Sequence, residues 1–151
     1  MVNSISKDKV WDVLNNIPDP EIPSISIVDL GIIRNVQFDK KMVTITITPT
    51  YSGCPAISFI KQEIIQQLEL YGVTNCIIET KLSPPWTTDW MSSAVKDKLK
   101  ESGISPPSNY ILCPQCESVD VEIISNFGST ACKALYKCIE CKEPFHHFKQ
   151  F

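Results

Sequence analysis

Arginine is almost missing from this chain: Arg34 is the one arginine among 14 basic residues, set against 17 acidic ones, and the formal net charge of the 151 residues is −3. Without a basic stripe or a supply of forked guanidinium groups, binding to nucleic acid is not expected. Histidine is nearly as scarce. His146 and His147 both lie at the far C-terminus, so a cysteine nucleophile earlier in the chain has no neighbouring base in sequence. Nowhere does an uncharged apolar run approach the ~18 residues of a membrane span, and MVNSISKDKVWD has no apolar stretch of signal-peptide length. A soluble, cytoplasmic protein with no membrane partner is the expectation. Internal repeats and low-complexity tracts are also missing.

What the chain does have is cysteine, seven in all. Cys113, Cys116, Cys138 and Cys141 form two CxxC pairs, which in a reducing compartment point to metal or redox work rather than disulfides. The 21 residues between the pairs lie close to the spacing of a ribbon in which two tight turns each offer two thiolates. Brought together by a hairpin, they make a tetrahedral four-sulfur site suited to zinc or a single iron, with an iron–sulfur cluster as the rival on the same ligands. A closed site of this kind is structural by default, and a ~40-residue β unit needs such a staple to fold. Glu117 and Lys142 stand where such knuckles often carry glycine, after the second cysteine of each pair. Cys132, between the pairs, is either a small apolar filler or an additional thiol. His146 and His147 follow too late for a four-cysteine site to need them and read as surface residues.

Elsewhere the hydrophobic pattern predicts an α+β domain. Val10, Trp11, Leu14 and Ile17 recur at helical spacing over Ser6 to Ile17, ended by Pro18 and Pro20. An extended loop, Asp19-Pro20-Glu21-Ile22-Pro23, leads into Val28-Asp29-Leu30-Gly31. Ile32 to Phe38 and Met42 to Thr48 flank a polar turn and read as a hairpin. A helix over Pro55 to Tyr71 follows, with Ile57, Ile60, Ile64 and Leu68 as its stripe, then a strand near Val73 to Lys81. Beyond Ser83-Pro84-Pro85-Trp86, a helix capped at Thr87 or Thr88 is expected to carry Trp90, Ala94, Val95 and Leu99. The first domain, 1–103, is therefore α-β-β-α-β-α with a three-stranded sheet packed by helices; 104–109 reads as a linker, and 110–151 as a small β ribbon with strands near Val121 to Ile124 and Ala134 to Tyr136.

Thr50-Tyr51-Ser52-Gly53-Cys54-Pro55 joins the second strand to the second helix. Proline is favoured at the first helical position, which would put Cys54 at the N-cap, where the positive end of the helix favours a thiolate. An inert, buried Cys54 is the other reading, and Cys76, within an apolar strand, reads as inert core. Asp19, Glu21 and Asp29 precede the hairpin and could serve as ligands, bases or loop caps, with an Asx-type turn in a solvated loop the plainer explanation.

Asp19-Pro-Glu21-Ile-Pro23, Asp29-Leu-Gly31-Ile and the threonine-rich strand into Cys54-Pro55 resemble the MIP18 family, the domain of unknown function 59 found in iron–sulfur assembly factors. Ser83-Pro-Pro-Trp86-Thr-Thr-Asp-Trp90-Met91, Phe127-Gly-Ser-Thr-Ala-Cys132-Lys and Glu143-Pro-Phe145 add a resemblance to the PaaD-type accessory components of bacterial phenylacetyl-CoA epoxidase systems. That resemblance implies a non-catalytic maturation subunit of phenylacetate breakdown, with the oxygenase and reductase subunits as partners and a homodimer left open. It further implies that Cys54, with Asp19 and Glu21 nearby, holds iron or a transient iron–sulfur cluster, while Cys113, Cys116, Cys138 and Cys141 hold structural zinc. An integral iron-binding electron-transfer subunit and a general iron–sulfur assembly factor are the alternatives. A nucleic-acid-reading ribbon finds little support, since four lysines face five acidic residues from Tyr110 onward.

Overall fold

The computed structural model describes residues 5–40, 42–51 and 55–150, which divide into two compact units, Met1–Trp86 and Thr87–Phe151. In the first, α1 (Lys7–Asn15) starts where the Ser6 side chain accepts a hydrogen bond from the Lys9 N–H at 3.1 Å, satisfying one of the first-turn donors. Its face of Val10, Val13 and Leu14 is buried. β1 (Ile33–Asp39) and β2 (Met42–Ile47) pair antiparallel, with Asp39 opposite Met42 across the turn. Val43, Ile45 and Ile47 alternate inward, the period-2 pattern of a strand, and Thr46 on the opposite face is buried as well.

α2 (Ala56–Glu69) buries Ile60, Ile64 and Leu68 and is followed by Gly72 at φ +86°, a backbone geometry that costs glycine nothing. The chain then returns as β3 (Cys76–Thr80), parallel to β2, with Val43 opposite Cys76 and Ile47 opposite Thr80. Sheet order is β1-β2-β3. Parallel strands need a crossover, and α2 supplies it. The mixed α+β class and the three-stranded sheet with helices are as the pattern predicts; the β2–β3 direction was not legible from it.

The second unit departs further from expectation. Instead of one helix from Thr87, a single 3₁₀ turn over Thr88–Trp90 is followed by α3 (Ser93–Glu101). Two residues compete to start a helix here: Thr87 accepts from the Asp89 N–H at 3.3 Å and Ser92 from the Val95 N–H at 3.3 Å, with Met91 extended between them. Trp90 is therefore outside α3, while Val95 and Leu99 form its buried side.

Ile104–Ser105, read from sequence as the start of a linker, form the short strand β4. They join β5 (Val121–Ser125), β6 (Lys133–Cys138) and β7 (Pro144–Phe148) in a sheet of order β4-β7-β6-β5. β7 escapes a sequence reading because proline and two histidines obscure its alternation, although proline is acceptable as a first strand residue. That strand also corrects the histidines. His147, opposite Ser105, is buried and His146 half-buried, rather than both lying on the surface. Among the described residues no helix is long and apolar enough to cross a membrane.

Candidate metal centre and the loops of the first sheet

The two CxxC segments fold into near-identical knuckles. In the first, the Cys113 N–H donates to the Ser118 carbonyl at 3.0 Å and the Glu117 N–H to the Cys113 carbonyl at 2.8 Å. In the second, the Cys138 N–H donates to the Glu143 carbonyl at 2.9 Å and the Lys142 N–H to the Cys138 carbonyl at 3.1 Å. Both turns close through a left-handed residue, Glu117 at φ +62° and Lys142 at φ +67°. The knuckle geometry is thus kept without glycine, at a cost that L-residues carry in this region.

The first cysteine of each pair is buried and the second exposed. Sγ of Cys113 lies 3.6 Å from that of Cys141, and Sγ of Cys116 lies 3.5 Å from that of Cys138. All four sulfurs fall within 4.8 Å of one another. Thiolates at this spacing enclose one cation; several irons with bridging sulfides would need a wider ring. The donor set therefore fits a single metal ion, and the site is a cysteine metal-binding site.

Electrostatics in the same cluster show what a cation replaces. The backbone N–H of Cys141 leads the influences that bring Cys138 down to about 7, against the desolvation that opposes them. Cys141 goes the other way: the Glu143 N–H favours its thiolate, but desolvation and hydrogen bonds with Cys113, Cys138 and Cys116 push it up to about 12. Metal binding must displace such protons, so affinity falls as pH falls. Cys113 and Cys138 also form the local apolar core with Phe145, and Ile111, Val121 and Tyr136 pack against it. Phe145 entered the sequence reading only within the motif Glu143-Pro-Phe145, and its place in this core was not foreseen. The available signal was an aromatic residue four positions after the last cysteine.

Cys132 does not join this cluster. It is buried in the loop before β6, its Sγ 2.9 Å from Thr130 Oγ1, whereas Cys138 is at the other end of that strand. Cys76 is half-buried, and burial pushes its thiol up.

In the first unit, Asp19 is buried, not solvated, and its Oδ1 accepts the N–H groups of Glu21 and Ile22, both at 2.9 Å. This is an Asx-type turn. Asp29 Oδ2 accepts the Ser26 N–H at 3.2 Å, and Ser26 Oγ accepts the Asp29 N–H at 3.0 Å in return. Glu21 is half-buried beside Asp19 in sequence. These loops are tied to one end of the sheet. The Thr48 N–H donates to the Ile32 carbonyl at 2.9 Å, the Lys81 N–H to the Ile47 carbonyl at 2.9 Å, and Trp86 Nε1 to the Leu30 carbonyl at 2.7 Å. Gly31, at φ +79°, makes the turn between them. Pro55 occupies the cap position of α2 with helical dihedrals of −69° and −20° and no side-chain cap bond. Cys54, with Ser52 and Gly53, lies outside the described residues.

A family model described as the PaaD zinc beta ribbon domain matches residues 100–149, and one described as an iron–sulfur cluster assembly protein matches residues 7–76. The chain is 45% identical over 150 residues, 93% of its own length and 91% of the other's, to the D component of the putative 1,2-phenylacetyl-CoA epoxidase of Escherichia coli (strain K12). The chain belongs to the PaaD family. An "Fe-S protein maturation auxiliary factor" of Porphyromonas gingivalis (strain ATCC BAA-308 / W83) is 35% identical over 89 residues, 58% of this PaaD-family chain and 84% of that protein. Among solved structures, a domain of unknown function DUF59 from Bacillus anthracis has a TM-score of 0.57 at 29% identity, covering 62% of this chain and 90% of that one. A conserved hypothetical protein from Thermotoga maritima has a TM-score of 0.55 at 29% identity, covering 66% and 98%.

Proposed function

We propose that this chain is a non-catalytic accessory subunit of a phenylacetyl-CoA epoxidase system, in the cytoplasm, that helps assemble an iron or iron–sulfur centre in the oxygenase or reductase subunits. The observation that carries this reading is the joining of a segment matched to iron–sulfur assembly proteins and a PaaD-type ribbon in one chain. The two units, Met1–Trp86 and Thr87–Phe151, which carry these two segments in place of the 1–103 and 110–151 division expected from sequence, correspond to two tasks, cargo handling and docking.

Cys54 is the assigned cargo ligand. It immediately precedes Pro55 and α2, after the carboxyl end of β2 in a parallel β-α-β unit, the end of such sheets at which ligands bind. A helix N-terminus there favours an anionic sulfur. Glu21 and Asp19 are assigned as its companions, and Asp19 holds the turn of their own loop closed. One thiolate cannot hold a cluster, so the remaining ligands come from the client or from a second copy of this chain. Transfer is then ligand exchange: an iron bond to Cys54 Sγ breaks as one to a client thiolate forms, with no net change in electrons.

For the ribbon we assign zinc. A tetrahedral ion with Zn–S bonds of about 2.3 Å separates its sulfurs by roughly 3.8 Å, close to the 3.5 and 3.6 Å observed. The zinc holds the ribbon's fold and takes no part in transfer.

The test is iron, zinc and acid-labile sulfide per chain on anaerobically purified protein, before and after cluster reconstitution. Wild type should hold one zinc and gain iron and sulfide, while Cys54→Ser keeps the zinc and gains neither. Equal uptake by both proteins, or none by either, removes Cys54 as the cargo ligand. Iron instead of zinc in the ribbon of purified protein would favour an electron-transfer subunit.

A further inference from the structure

The loop Asn126–Cys132 between β5 and β6 takes no part in the metal centre, and its surroundings are electrically unlike the rest of the chain. Residues 125–135 and 146–150 contain two lysines, two histidines and no carboxylate, in a protein of net charge −3. The loop is held in one form. Gly128 N–H donates to the Lys133 carbonyl at 2.7 Å, Lys133 N–H to the Thr130 carbonyl at 3.3 Å, and Ser125 Oγ to the Phe127 carbonyl at 2.8 Å. Gly128 rests directly on the His146 ring. A Cβ at this position would lie 2.4 Å from His146 Cδ2.

Beneath this loop is Lys133, at 4% exposure the one buried lysine among the described residues. Its ammonium has no hydrogen-bond acceptor and no ion-pair partner among them. Lys133 faces Phe148, and Leu135 faces His146, so Lys133 and His146 are diagonal neighbours on one side of the β6–β7 ladder. His146 Nε2 accepts the Ser129 N–H at 3.3 Å. The neutral ring then carries its proton on Nδ1 and offers a donor there. Burial and the nearby Lys133 charge hold the ring in that neutral form. Lys149 braces the loop from its edge, its Nζ donating to the Ala131 carbonyl at 3.0 Å and lying 4.3 Å from the centroid of the Phe127 ring.

We propose that Lys133 and His146 form a binding site for an oxyanion group, a phosphate or a carboxylate, beneath the Asn126–Cys132 loop. An ammonium so nearly buried without an acceptor is costly, and an oxyanion supplies what it lacks through charge-assisted hydrogen bonds. Access to that ammonium is narrow but not closed, since no side-chain nitrogen among the described residues is fully enclosed without a partner. Such an opening selects a single compact group. The site is independent of Cys54 and of the cargo reading.

The experiment is an NMR titration of the metal-loaded, full-length, ¹⁵N-labelled protein with inorganic phosphate and, separately, with acetate, at constant ionic strength set by chloride. Saturable shifts at the amides of Gly128, Ser129 and His146 are expected with at least one of the two, and the anion that saturates names the ligand class. Lys133→Met, which keeps the apolar stem, should weaken that binding by about tenfold or more, the scale of one charge-assisted hydrogen bond. His146→Phe, which keeps an aromatic ring against Gly128 and removes both ring nitrogens, should weaken it as well. Shifts that stay linear with both anions overturn the proposal, as does saturation that survives unchanged in both variants.

Discussion

Lys142 holds φ at +67° immediately after the last metal ligand, and its N–H closes the second knuckle on the Cys138 carbonyl. For an L-residue this conformation costs roughly 1 kcal/mol or more, and glycine avoids it at the expense of a more flexible unfolded chain. Lys142→Gly should therefore stabilise the metal-loaded protein by about 0.5–1 kcal/mol, measured as a higher denaturation midpoint with unchanged metal content. A lower midpoint would mean that the lysine side chain contributes more than its backbone costs. Glu117 is a poorer position for the same test, because its carboxylate also pairs with Lys100. At this scale the sequence was readable where chemistry is tied to spacing: four cysteines, two knuckles and two left-handed positions follow from CxxC alone. Asp19 was half-readable. Its turn was foreseen, its burial was not, because burial depends on the packing of neighbouring segments.

Among the elements, β4 is the least secure, two residues held to β7 by backbone pairing and by the contact of 2.9 Å between Ser105 Oγ and His147 Nδ1. Burial lowers the His147 pKa, against a smaller opposing influence from a hydrogen bond with the Ser105 backbone. The folded form therefore binds a proton less readily than the unfolded chain, and stability rises with pH. The full contribution is present above the ordinary histidine range and is lost as pH falls through it toward the lowered value. Between pH 7 and pH 5 the protection factors of the Ser105 and His147 amides, that is exchange corrected for its intrinsic slowing toward acid, should fall by more than those of the β5–β6 amides. In His147→Asn that extra fall should vanish; if it persists, the pH response lies elsewhere, as in the cysteine cluster. β4 and β7 were also the elements least legible in sequence. A two-residue strand has no period to detect, and Pro144-Phe-His-His-Phe mixes a strand start with residues that alternate poorly. The helix wrongly extended through Trp90 shows a related limit: Thr87 and Ser92 are both good caps, and pattern alone does not say which one starts the helix.

For the molecule as a whole, the two units differ in what holds them together. The first rests on aliphatic packing by Val10, Leu14, Ile45, Ile47, Ile60, Ile64 and Leu68, whereas the ribbon's core cluster includes two of the metal ligands themselves. Metal removal should unfold the ribbon selectively, since structural zinc contributes on the order of 10 kcal/mol. Chelation at neutral pH is expected to collapse the dispersed amide signals of β5, β6 and β7 while those of α1, β1, β2, α2 and β3 persist. Simultaneous loss of both sets would show that the first unit does not stand without the second.

The parallel pairing of β2 with β3 sets an order of events in time. β1 and β2 close across a tight turn and can meet early, but β3 pairs with a strand more than 30 positions earlier and cannot dock until α2 has wound between them. Contacts of such separation are slow to form. During synthesis, the first sheet therefore stays open along one edge of β2 until about Lys81 has emerged, and the tether from Trp86 to Leu30 is made only after that. For this interval the apolar residues of β2 and the stripe of α2 are exposed together, which makes the nascent chain, rather than the finished protein, the form most prone to aggregate.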